Sequence, residues 1–291
     1  MQLLRNQQTI GCPAAVQGFG YWSGRDVRVE FRPGPPDSGI VFYRSDVSSP
    51  APIPATAANR IEIPRRTTVT ARGVRVEMIE HAMAALAGLG IDNCQVWVDQ
   101  EEMPGLDGSA LPFVEALDRA KIISQDVPRR RLVIREVTRL GNDDVWIEAR
   151  PSRTPGLTVK FRLDYGSAGA IGRQSLELTV TPEVFRKQLA ASRTFVLKEE
   201  ADWLRQQGLG QRVTPADLLI FGPDGPIDNE LRFPDECVRH KLLDVVGDLA
   251  LSGCELWGHV IAHRSGHRLN AELVRVLLAE GELVDQRRRS A

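Results

Sequence analysis

The segment LRFPDECVRHKLLDVVGDLALSG, residues 231–253, constrains this chain more than any other stretch. Pro234 and Asp235 suit a first helical turn, where a missing N–H costs nothing and a negative charge is favoured, and Gly253 falls where helices stop. The spacing predicts a helix over residues 235–252. Val238, Leu242, Val245, Val246 and Leu249 cover one broad face. His240, Asp244 and Asp248, at four-residue steps with Lys241 beside them, fall along a narrow polar arc. Such an arc is ordinarily a solvated face. Here Cys237, Gly247 and Leu251 share it, where a solvated face would carry long Glu, Lys and Gln. If the arc is enclosed, a histidine and two carboxylates need partners, because burying them unpaired is costly. A divalent cation is such a partner.

At 291 residues the chain suffices for one large domain or two smaller ones. Its net charge of −1 gives no sign of a nucleic-acid binder. Cys12, Cys94, Cys237 and Cys254 are scattered without CxxC spacing, which argues against a disulfide framework or a cysteine-rich zinc site and suits a reducing compartment. MQLLRNQQTI lacks the apolar core of a signal peptide, and the longest apolar run, residues 82–91, is too short to span a bilayer. The expectation is a soluble cytoplasmic protein without stable membrane insertion.

Strand-like patterns at residues 8–18, 27–31, 39–44 and 67–76 precede a helix over 78–89 closed by Gly88 and Gly90, a strand at 95–98, and a helix over 111–120 that Ser109 can cap. Polar, proline-bearing residues 126–130 read as a linker. Beyond it, strand patterns at 131–139, 145–150, 157–163, 174–180, 193–197, 218–221 and 256–263 mix with helices at 182–188, 201–207 and 271–280. Both halves mix antiparallel-type strands with helices, an α+β pattern, and no internal repeat is visible. The expected domains are residues 1–126, carrying Glu80 and His81, and residues 129–282, carrying His240, Asp244 and His267. Residues 286–291 read as a frayed basic tail.

The chain holds five histidines. Glu80-His81 opens the first-half helix, and an adjacent carboxylate and imidazole can serve a hydrolytic metal centre as base and ligand, although such a pair at a helix start is more often capping and solvation. His259 and His263 sit on a predicted strand, where residues four apart lie roughly 13 Å from each other, so they make no second metal set. His267 follows a Ser265-Gly266 break. It reads as a loop histidine that could project into a cleft, with Asp248 as its natural partner.

Five motifs occur in order: Glu80-His81 within EHAMAALAGLGIDN, Asp107-Gly108-Ser109-Ala110 with Pro112-Phe113, Ser192-Arg193-Thr194-Phe195, Arg239-His240-Lys241-Leu242-Leu243-Asp244 with Gly247-Asp248-Leu249, and Ser265-Gly266-His267 with Leu269-Asn270. Together they resemble the UDP-3-O-acyl-N-acetylglucosamine deacetylases, zinc enzymes of lipid A synthesis. The resemblance covers nearly the whole chain, with no second catalytic domain expected. It implies two similar α+β domains, each a mainly antiparallel sheet, with helices packed between the sheets. It also implies Zn²⁺ on His81, His240 and Asp244, Glu80 as general base, His267 as general acid or electrostatic stabiliser and Asp248 as its orienting partner. Thr194 would polarise the amide carbonyl, Lys241 and Phe195 would face the sugar, and Tyr165 would stack on the uracil. The implied substrate is a UDP-acyl-aminosugar, handled by a monomer without an obligatory protein partner. A mixed His/Asp set also suits iron.

The resemblance further implies an acyl passage within residues 196–221, with Ala201, Trp203, Leu204, Leu209, Val213, Leu218, Leu219 and Ile220 as candidates. This chain departs from the family at Trp22, where a histidine is usual, at residues 210–217, at Gly166-Ser167-Ala168 in place of a His-Pro pair, and at Val145 in place of a basic residue. These changes fall on parts that would hold nucleotide and acyl chain. They leave open a paralogue acting on another N-acetyl sugar or acyl conjugate. A binding protein with a structural zinc site is a further alternative, disfavoured because such a site needs neither Glu80 nor His267.

Overall fold

A computed structural model of the chain describes residues 4–167 and 169–285; the basic tail expected at 286–291 lies outside them. Two sheets carry the fold. In the first, Ala14–Phe19, Asp26–Pro33, Cys94–Val98, Ile40–Arg44 and Ile53–Pro54 lie side by side in that order. All neighbours are antiparallel except Ile40–Arg44, which runs parallel to Cys94–Val98. In the second, Thr138–Gly141, Trp146–Arg150, Glu255–His263, Leu157–Asp164 and Arg173–Thr179 repeat that order and those directions. Arg131–Val133 and Glu282–Val284 extend it beside the start of Glu255–His263. In each set of five the strand latest in the chain enters the middle of the sheet, preceded and followed by a helix. This shared topology has no counterpart in side-chain identity, so the sequence shows no repeat.

The helices in chain order are α1 (Glu80–Leu89), α2 (Leu111–Arg119), α3 (Pro182–Val184), α4 (Lys198–Gln206), α5 (Glu236–Leu249) and α6 (His267–Glu280). The helix α1 packs against α2 and α5, α2 reaches the first sheet, and α5 and α6 lie on the second. Helices thus fill the space between the sheets, as an α+β architecture of this kind requires. Every residue of α1 except Ala87 is buried, and in α5 only Arg239 and Lys241 escape burial. The polar arc of α5 is therefore enclosed: Gly247 and Leu251 sit on it because α1 crosses there.

The crossing is a backbone contact. A Cβ on Gly247 would stand 2.2 Å from the Glu80 carbonyl oxygen. Helix propensity alone would favour alanine at a mid-helix glycine, but no backbone atom at that distance can yield without moving α1. Gly247→Ala should therefore destabilise the protein by roughly 1–3 kcal/mol, as overpacking does, and displace Glu80 and His81. Chemical denaturation would check the first effect, and a neutral or stabilising result would contradict the tight crossing.

Several local expectations change. Residues 126–128 belong to a strand, Ile122–Pro128, that pairs with Asn6–Ile10. This two-stranded ribbon is half open to solvent, so its polar residues look like a linker, and Pro128 ends it where no N–H is needed. The expected strand 67–76 is a hairpin, Arg66–Ala71 and Val74–Val76, turning at Arg72 and Gly73 with positive φ of 51° and 78°. With Arg60–Ile63 it makes a three-stranded insertion beside α1. A second insertion, Phe195–Leu197, α4, Leu219–Gly222 and Gly225–Pro226, occupies the matching place in the second half. The last helix starts at His267 rather than residue 271, because Gly266 in extended conformation ends the preceding loop. No helix among the described residues is long and apolar enough to cross a membrane.

Candidate metal centre

Two helix faces meet at this centre. From α1, Glu80 and His81 point toward α5, which offers His240, Asp244 and Asp248, and the N-terminus of α6 adds His267. One ligand atom from each of His81, His240 and Asp244 lies within 4.8 Å of the other two. The Asp244 Oδ1 atom is 3.4 Å from His240 Nε2 and 3.9 Å from His81 Nε2. Ligand atoms ~2.1 Å from a tetrahedral ion stand about that far apart. The two imidazoles meet edge to face, with centroids 5.0 Å apart.

The donor set suits a divalent cation. Asp244 Oδ1 is buried without a hydrogen-bond partner among the described residues, while Oδ2 accepts from Lys241 Nζ at 2.6 Å. His240 Nδ1 lies 3.1 Å from the Ser192 carbonyl, which fixes the proton on Nδ1 and leaves the Nε2 lone pair facing the centre. Burial and the neighbouring His240 hold His81 down to about 3. Burial likewise lowers His240, against the opposing pull of Asp244. For Asp244, burial works upward but is outweighed by Lys241 and then His240, which keep it ionised. Two neutral imidazoles and one carboxylate are the protonation states a metal requires. A metal can therefore be held at His81, His240 and Asp244. His240→Ala should abolish stoichiometric metal binding while the fold survives; one bound ion per chain, measured by metal analysis of the dialysed variant, would refute this ligand.

Beside this set, Glu80 Oε2 accepts from the Thr67 amide at 2.9 Å, and Oε1 lies 3.9 Å from His267 Nε2. Burial raises the Glu80 carboxyl to about 7, opposed by His267 and assisted by Asp244. His267 Nδ1 is 2.8 Å from Asp248 Oδ2. Burial would lower His267, but Asp248 outweighs it and raises it to about 9. Of the five histidines only His81, His240 and His267 reach the centre; His259 and His263 remain on their strand facing Glu177 and Trp146.

Glu80, His81, His240, Asp244 and His267 line one cavity of about 1080 Å³. Thr194, Phe195, Lys241 and Tyr165 also line it. The Phe195 ring stands 6.4 Å from His240 and 5.9 Å from the half-exposed Tyr165. Of the acyl-passage candidates, Ala201, Leu204, Leu209, Val213, Leu218 and Ile220 form cavity wall. Trp203 and Leu219 do not: Leu219 is buried in the core, and Trp203 is 51% exposed with the Arg65 guanidinium 5.7 Å from its ring centroid. Alternation in the strand Leu219–Gly222 sends neighbours to opposite faces, and a run of apolar letters cannot reveal which is which. Trp22 lines the same cavity beneath Arg66, whose guanidinium lies 4.7 Å from the ring centroid.

The motifs also form a support that spacing alone does not disclose. Thr194 N donates to the Gly108 carbonyl at 2.7 Å, joining two motifs. Gly108 has φ of 80°, and a Cβ there would meet the Asp217 carbonyl at 2.7 Å. Arg193 is buried against Glu236, with Nε 2.8 Å from Oε1. Glu236 went unremarked in the sequence because an acidic residue in a first helical turn needs no special explanation.

The family description UDP-3-O-acyl N-acetylglycosamine deacetylase matches residues 7–279. Curated proteins named UDP-3-O-acyl-N-acetylglucosamine deacetylase are similar over nearly their full length. That of Myxococcus xanthus is 38% identical over 293 residues, covering 98% of this chain and 91% of its own. That of Syntrophotalea carbinolica is 36% identical, covering 95% and 89%, and that of Brucella ovis 38%, covering 94% and 96%. A match of this extent, on a chain whose fold brings four of the five motifs to one cavity and ties the fifth to it through Gly108, means that the protein belongs to the UDP-3-O-acyl N-acetylglycosamine deacetylase family.

Proposed function

We propose that this chain hydrolyses the N-acetyl group of UDP-3-O-acyl-N-acetylglucosamine, releasing acetate and the free amine in lipid A biosynthesis, with Zn²⁺ held by His81, His240 and Asp244. The observation that carries the reading is the meeting, in one cavity, of that donor set with Glu80 and with His267, which Asp248 backs from behind, beside an apolar wall. When bound, zinc supplies Lewis acidity that lowers the pKa of a water and polarises a carbonyl. Glu80 removes the proton of the attacking water. Its anchored Oε2 leaves Oε1 for that task, and burial keeps its proton affinity near neutrality. Thr194 donates to the carbonyl oxygen as charge develops there. His267, kept protonated by Asp248, stabilises that charge, and as the C–N bond breaks the departing nitrogen takes a proton from His267 or from the protonated Glu80. Lys241 holds Asp244 and faces the sugar, Phe195 packs beside the ring, and Tyr165 offers a face for the uracil. The site stands between residues 1–126 and 129–282, which we take as the two domains.

The wall formed by Leu204, Leu209, Val213 and Ile220 suits the acyl chain. Comparing this substrate with UDP-N-acetylglucosamine tests the assignment. With ~0.8 kcal/mol per buried methylene, kcat/KM should be at least ~100-fold higher for the acylated compound. Equal values would mean that the wall takes no acyl chain.

A further inference from the structure

The Asp248 carboxylate is wholly buried, and three donors from two elements satisfy it. His267 Nδ1 and Asn270 Nδ2, both on α6, each lie 2.8 Å from Oδ2. The third donor is Thr67 Oγ1, 2.5 Å from Oδ1, on the hairpin inserted before α1. Thr67 is itself fully enclosed and tied to the start of α1 by its main chain. Its amide donates to Glu80 Oε2 at 2.9 Å, and its carbonyl accepts from Ile79 N at 3.1 Å. One residue outside both crossing helices therefore holds a carboxylate of each. A strand threonine needs no hydroxyl partner to serve as a β-branched filler, and the neighbouring Thr68 Oγ1 is buried with no hydrogen-bond partner among the described residues. The bond from Thr67 is thus particular to its position.

We infer that Thr67 is a positioning residue of the hydrolytic centre: its amide and hydroxyl together set the spacing between the Glu80 carboxylate and the Asp248–His267 pair. The inference rests on the acid–base reading above. It differs from a packing role because the hydroxyl acts on Asp248 Oδ1, which has no other donor among the described residues. Losing that bond frees the carboxylate to rotate about its link to His267, and the imidazole follows. Substrate binding, which depends on the cavity wall, is untouched.

Thr67→Val removes the hydroxyl at nearly constant shape and keeps the amide; Thr67→Ser keeps both. With metal loading verified, Thr67→Val should lower kcat ~10–100-fold, the usual effect of losing a partner that orients a site residue, with KM unchanged, and Thr67→Ser should restore most of the loss. Full kcat in Thr67→Val, or an equal loss in Thr67→Ser, overturns the inference. A second readout is independent of turnover: the proton NMR resonance of His267 Nδ1–H should be strongly downfield in the parent and in Thr67→Ser, and shifted or lost in Thr67→Val. An unmoved resonance overturns the inference even if the parent releases no acetate. A moved resonance with no acetate release contradicts only the substrate reading. Should Thr67→Val not fold, Thr67→Ala carries the same comparison.

Discussion

Glu80→Ala should lower turnover by at least ~100-fold, the effect expected when a general base is removed, while the protein retains its metal. The two halves of this result belong together. Glu80 lies beside the donor set, not in it: its Oε2 is held by the Thr67 amide and its Oε1 is turned toward His267. Loss of metal in this variant would make Glu80 a ligand, and undiminished turnover would remove it from the mechanism. The pH dependence follows from the same groups. A base must be deprotonated and an acid protonated, so turnover should rise with pH through the pKa of Glu80 and fall through that of His267. Without metal these stand at about 7 and about 9. A nearby divalent cation favours the deprotonated form of each, so the loaded protein should show limbs below about 7 and below about 9. His267→Gln should remove the alkaline limb, and a profile unchanged by that substitution would contradict the role of His267.

Glu236→Ala should cost roughly 3–5 kcal/mol of stability, because it leaves a buried guanidinium uncompensated. Glu236 is fully enclosed. Its Oε1 accepts from Arg193 Nε at 2.8 Å and Arg193 N at 3.0 Å, and its Oε2 accepts from Arg193 Nη2 at 3.1 Å and Arg232 N at 2.6 Å. Arg193 stands between Ser192, whose carbonyl orients His240, and Thr194, whose amide is fixed to Gly108. The loss should therefore reach the site as well as the core. Replacing both partners, as in Arg193→Met with Glu236→Leu, should restore much of the stability, since neither charge is then left alone. Denaturant unfolding would decide; a loss under ~1 kcal/mol, the range of an exposed ion pair, would contradict the burial argument.

The candidate metal donors on α5 were legible because Cys237, Gly247 and Leu251 sat where a solvated face has no use for them. Gly247 proved to mark the point where α1 crosses, 2.2 Å from where its Cβ would be. The partners across the crossing were not readable from spacing. Glu80-His81 looks like an ordinary helix start, and only motif order joined it to α5. His267 read as a loop residue, yet it opens α6, because a helix that begins without a side-chain cap leaves no mark in the sequence. Thr67 and Glu236 escaped notice because their function lies in pairings with residues 181 and 43 positions away. The repeated sheet order was hidden for a related reason: topology is kept by alternation and turns, which many unrelated side chains satisfy.

The most direct measurement is acetate release from UDP-3-O-acyl-N-acetylglucosamine by metal-loaded protein, with the apo-protein and Glu80→Ala as controls. Release that requires both the metal and Glu80 is the predicted result. No release from folded, zinc-bound protein, or equal release by the apo-protein, would contradict the proposal that His81, His240, Asp244 and Glu80 form one deacetylating centre for this substrate.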